Sequence, residues 1–122
     1  MRLSPLRAAP LAAALMLAGC FSDAPAPAGP AAPTAPQTAT VVASATANVF
    51  SPTTVTIARG GTVTWTSGTR PHNVAFVAAT GAPADVPTGT NLEVSRLFPS
   101  AGTFAYACTL HAGMIGTVVV RD

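Results

Sequence analysis

The sequence predicts an all-β protein, a sandwich of short strands, and three observations carry that expectation. Valine, isoleucine and aromatic residues alternate with threonine in several short runs, the period-two pattern of half-buried strands. Turn signals separate those runs at close spacing. No segment carries an apolar stripe at helical spacing over a useful length, and there is no internal repeat.

The elements follow in chain order. The β pattern begins at about Thr38, and Asn48 to Pro52 reads as a turn. Val55 and Ile57 then alternate with threonines, and Arg59-Gly60-Gly61 turns the chain into Thr62-Val63-Thr64-Trp65-Thr66. After a break at Ser67-Gly68, Val74 and Phe76 alternate in HNVAF. The longest irregular piece runs from about Ala79 to Asn91, with turn chemistry from Gly81 to Pro87. Ser100-Ala101-Gly102 precedes the alternation of Phe104, Tyr106 and Cys108, and Val118 and Val120 close the chain. Residues 38–122 are at the small end for an independent core, so a bound metal would add stability to the folded state.

The N-terminal segment has a different composition. Arg2 and Arg7 form a positive region, followed by the short apolar run Leu11–Ala18, which is too short to span a bilayer comfortably. Leu17-Ala18-Gly19-Cys20 resembles the bacterial lipobox. That resemblance implies a signal peptide over 1–19, cleavage before Cys20 and lipid attachment at Cys20. Phe21 and Ser22 do not resemble the common aspartate retention signal, which tilts the expectation towards an outer membrane or the cell surface. Residues 20–37 hold Pro25, Pro27, Pro30, Pro33 and Pro36 among alanines. Such a segment cannot bury a core and favours extended polyproline II, at ~3.1 Å per residue a tether reaching on the order of 50 Å. The expected organisation is signal (1–19), lipidated tether (20–37) and one domain (38–122), placed at the bacterial envelope on its periplasmic or surface side.

Charge excludes some functions. The chain is 8% charged with a formal net charge of +2, and its basic residues are all arginine. From Cys20 onward Arg59, Arg70, Arg96 and Arg121 face Asp23, Asp85, Glu93 and Asp122. A near-neutral part without a basic patch argues against nucleic acid and for weak electrostatic steering. Arg70 and Arg96 remain as local docking biases. A monomer is expected.

Four donor side chains carry the chemistry. After Cys20 the imidazole and sulfur donors are His72, Cys108, His111 and Met114. Three of them share one stretch at the spacing Cys-x2-His-x2-Met. His72 comes earlier, in Arg70-Pro71-His72-Asn73-Val74. Alone, each has an ordinary explanation: a buried small cysteine, a surface histidine, a gap-filling methionine. Together they form the donor set of a blue-copper site: thiolate and thioether suit Cu(I), and imidazole accepts either oxidation state. A short turn after a strand ending at Cys108 can return His111 and Met114 to one point, and His72 at the head of a neighbouring strand can complete the set.

Val49 to Val120 resembles the cupredoxins, through FSPTTVTIARGGTVTW, PHNVAF and FPSAGTFAYACTLHAGMIGTVVV. The resemblance is to plastocyanin, pseudoazurin and amicyanin. It implies a Greek-key β-sandwich of about eight strands with one type 1 copper, held by His72, Cys108 and His111 with Met114 axial. The two residues between His111 and Met114 resemble amicyanin rather than the longer loops of plastocyanin and pseudoazurin. The resemblance also implies that Asn73 and Thr109 tie the two ligand loops together. It further implies an apolar rim of Pro71, Leu110, Ala112 and Gly113 through which electrons pass to redox protein partners. The expected function is one-electron transfer at a membrane, with no substrate. The alternative is copper storage, delivery or resistance, which methionine-rich or histidine-rich runs would favour. An enzyme with several copper centres would need further histidines. A metal-free adhesion domain is the remaining alternative.

Overall fold

The computed structural model describes Gly29 and residues 34–122. The signal, Cys20 and most of the tether therefore lie outside the described residues.

Among the described residues, nine strands form two sheets. The strands are β1 (Thr38–Ala43), β2 (Phe50–Ser51), β3 (Thr54–Ala58), β4 (Gly61–Ser67), β5 (His72–Phe76), β6 (Val86–Gly89), β7 (Glu93–Phe98), β8 (Gly102–Ala107) and β9 (Ile115–Arg121). One sheet has the order β2-β1-β4-β7 and the other β3-β9-β8-β5-β6. β1 pairs in parallel with β4, and β3 with β9; the remaining ladders are antiparallel. The two sheets face each other over a core in which Val41, Val63, Trp65 and Phe98 meet Ile57, Val74, Tyr106 and Val118.

The architecture is the all-β sandwich that the alternation predicts, with three elements that the pattern concealed. β2 has two residues and sits inside the turn signal at Asn48 to Pro52, held by Val42↔Ser51 and Ala43↔Phe50. β6 lies inside the stretch expected to be irregular. It is an edge strand, where Pro87 costs no ladder hydrogen bond, and a bulge interrupts its pairing to β5. β7 is also an edge strand. Its Leu97 points outward, 57% exposed, while Phe98 is buried, so apolar residues on both faces hide the period of two.

An aromatic cluster fills the interior. Trp65 meets Phe76 and Tyr106 edge to face, with ring centroids 5.7 and 5.4 Å apart, and Phe50 packs on Tyr106 at 5.0 Å. Gly116 on β9 makes this possible, because a Cβ there would collide with the Tyr106 ring.

The sandwich has two distinct ends. At one, Pro36 and Gln37 accept backbone hydrogen bonds from Ala58 and Thr62, and Arg59 N donates to the Arg121 carbonyl. From there β1 runs beside β4 to Ser44 at the other end, where the heads of β5 and β9 and the tail of β8 converge.

Candidate metal centre

The centre is built from one strand head and one hairpin loop. β8 and β9 pair up to Ala107↔Ile115. The next step is the bond from Cys108 N to the Met114 carbonyl, 2.9 Å, which closes the loop Thr109–Gly113. Met114 N donates to the His111 carbonyl at 3.3 Å, and Gly113 turns the chain back with φ of 75°, where a side chain would be strained. The loop thus buries Cys108 and Met114 at its two feet and leaves His111 half-buried at its crest.

His72 heads β5, the strand beside β8, and is 1% exposed. Its Nε2 lies 3.1 Å from the Ser44 carbonyl. A carbonyl only accepts, so Nε2 carries the proton and the Nδ1 lone pair is left free. That nitrogen faces the Cys108 sulfur at 3.8 Å, and His111 Nδ1 faces the same sulfur at 3.4 Å. The three donor atoms lie within 4.8 Å of one another. The His72 pKa is lowered, first by burial of the ring, then by His111 beside it; the Ser44 carbonyl opposes this and Arg70 adds a smaller lowering.

This geometry fits a metal. Two donors bound to one first-row ion at about 2.0–2.3 Å stand about 3.5 Å apart at ordinary coordination angles, close to the sulfur–nitrogen separations found here. Cys108 is a free, buried thiol. Among the described residues, His72 is the buried titratable nitrogen base of a core made of apolar and aromatic side chains. A buried imidazole with its free nitrogen aimed at a thiol has no purpose in packing.

The surrounding residues fall into place as follows. Asn73 Nδ2 donates to Thr109 Oγ1 at 2.7 Å, and Thr109 N donates to Asn73 Oδ1 at 2.8 Å, so two hydrogen bonds join β5 to the ligand loop. Pro71, Leu110, Ala112 and Gly113 are exposed around His111, Leu110 at 47%. Ser44 escaped the sequence reading because it acts through its carbonyl, which every residue possesses. The bond from Arg70 Nη2 to Asn48 Oδ1, 2.9 Å, joins residues far apart in the chain and was equally hidden.

A buried cysteine, two histidines and a methionine at one end of a β-sandwich define a mononuclear cupredoxin-type centre. The model of the copper-binding proteins of the plastocyanin/azurin family matches residues 37–121. The chain belongs to that family, and His72, Cys108, His111 and Met114 form its type 1 copper site. It is 38% identical over 90 residues to plastocyanin of Scenedesmus fuscus, an alignment covering 60% of this chain and 87% of that protein. It is 41% identical over 71 residues to amicyanin-alpha of Methylorubrum extorquens, covering 55% of this chain and 60% of the relative. Among solved structures, a Cu(I) amicyanin variant superposes with a TM-score of 0.60 at 31% identity, over 70% of this chain and 83% of that one. A purple cupredoxin from Nitrosopumilus maritimus gives 0.58 at 26% identity, over 68% and 99%.

Proposed function

We propose that the protein is a one-electron carrier held at a bacterial envelope membrane by lipid on Cys20, with no substrate of its own. The observation that carries the electron-transfer part is the convergence of His72 Nδ1, Cys108 Sγ and His111 Nδ1 within 4.8 Å. Bound copper would supply a one-electron Cu(I)/Cu(II) couple on this donor set. The chain's own contribution is to hold the donors before the metal arrives. Ser44 fixes the His72 tautomer. The Asn73–Thr109 pair holds the ligand loop against β5. The feet of the loop exclude water from Cys108, while His111 at the crest offers the route by which the electron leaves through the apolar rim. No bond is made or broken, so brief contact with a partner suffices.

Adding Cu(II) to the full chain tests this. An intense blue absorption with narrow copper hyperfine splitting, lost in Cys108→Ser, is expected. A pale, broad-splitting spectrum indifferent to Cys108 would leave copper storage, delivery or a metal-free role. The anchor rests on Leu17-Ala18-Gly19-Cys20, outside the described residues. Membrane fractionation of bacterial cells and the mass of the purified N-terminus check it; Cys20→Ala should release the protein to the soluble fraction.

A further inference from the structure

The formal charges of this domain are few, and the fold disposes of them unequally. Arg59 pairs with Asp122 at 3.0 Å, and Arg121 ends β9, both at the end opposite the copper site. Arg96 is spent on backbone: it donates to the carbonyls of Ala84, Asp85 and Ser95 at 2.8, 2.7 and 3.0 Å, joining the open edges of the two sheets. Arg70 differs. It directly precedes the exposed Pro71 and stands two residues before His72. Its guanidinium is oriented by the Asn48 side chain, a neutral amide that leaves the charge uncancelled. Among the described residues no carboxylate forms an ion pair with it. Glu93, the acid nearest this end in the topology, opens β7 on the far flank of β4, whereas Asn48 follows β1 on the near flank.

A fixed, uncancelled guanidinium at the edge of an uncharged rim does what the rim cannot. Pro71, Leu110, Ala112 and Gly113 supply contact without direction, and one oriented cation selects how a partner turns as it lands. A carboxylate is the natural complement, because it accepts two parallel N–H bonds from a guanidinium. We propose that Arg70 is the docking cation of the copper end, and that its partner is a redox protein whose contact face is apolar at the centre and bears a carboxylate at the rim. This rests on the electron-transfer reading for the partner's identity, though not for the charge itself.

Two anionic probes test it on the full chain in a non-ionic detergent. Paramagnetic hexacyanochromate(III), added to the copper-free chain, should broaden the amide resonances of Asn48, Arg70 and Leu110. Arg70→Gln should abolish that broadening, Arg70→Lys should keep part of it, and Arg121→Gln should leave it intact. With copper bound and reduced, hexacyanoferrate(III) takes one electron and becomes hexacyanoferrate(II). At low salt Arg70→Gln should slow this about threefold and flatten its dependence on ionic strength. Broadening centred on Arg59 and Arg121, or an unchanged salt slope in Arg70→Gln, would overturn the proposal. A chain that never turns blue would overturn the electron-transfer reading and the redox partner with it, while the copper-free spectra still judge Arg70.

Discussion

Ser44 contributes to the metal centre through a carbonyl alone, and that contact opposes, without cancelling, the pKa shift that burial imposes on His72. The folded His72 pKa lies below its ordinary 6.5, because burial and the neighbouring His111 disfavour the imidazolium. Between the two values the unfolded chain binds more protons than the folded one. Stability of the copper-free protein therefore falls as pH drops below 6.5 and stops falling once the folded value is passed. Urea midpoints at about pH 7.5 and about pH 5.5 measure the slope, and His72→Gln should flatten it. Tyr106 and Trp65 show the opposite economy. Tyr106 Oη and Trp65 Nε1 are both buried without a hydrogen-bond partner. Tyr106→Phe removes an unsatisfied hydroxyl and should cost nothing, gaining up to about 1 kcal/mol in chemical denaturation. A loss of stability would mean that Trp65 and Tyr106 bond each other in solution. Asn73→Ala removes both bonds to Thr109. It should weaken copper binding by about 10–100-fold while the strands stay paired, as read by copper titration beside circular dichroism.

At the scale of elements, β8, the ligand loop and β9 form one hairpin whose ladder ends where the site begins. Gly113 reverses the loop in the left-handed region with open space where a Cβ would stand, so Gly113→Ala meets strain rather than collision. The expected loss is about 1 kcal/mol, concentrated in the copper-loaded form. Gly116, one turn of the pleat into β9, is limited by space. Gly116→Ala drives a methyl into the Tyr106 ring and should cost about 1–3 kcal/mol in copper-free and copper-loaded protein alike. Comparing the two variants with and without copper separates a loop effect from a core effect. The strands that the sequence made legible are central ones such as β4, where one face is buried and the alternation is clean. The hidden ones, β2, β6 and β7, are at sheet edges, where apolar residues, proline and short length blur the period.

Across the whole molecule, the chain enters at one end and the copper site lies at the other. Pro36 and Gln37 are bonded to the Ala58–Thr62 turn, and β1 carries the chain from there to Ser44 beside His72. Removal of the residues before 34 should therefore leave the copper spectrum unchanged, and a spectrum altered by that truncation would show that the N-terminal segment touches the site. The described residues hold four arginines, Arg59, Arg70, Arg96 and Arg121, and three acids, Asp85, Glu93 and Asp122. That balance predicts a mild salt dependence with a physiological partner, dominated by Arg70.

The sequence by itself determined the β period of the central strands, the four donor side chains and the tight spacing of three of them. Those are local properties: side-chain chemistry and a repeat of two can be read within a few residues. Only the tertiary structure decided which histidine nitrogen faces the sulfur, which carbonyl fixes it, and which arginine keeps its charge. Those outcomes depend on backbone groups common to every residue and on contacts between distant segments, such as Ser44 with His72 and Arg96 with Ala84. A carbonyl has no residue-type signature, so its role exists only after the strands have paired.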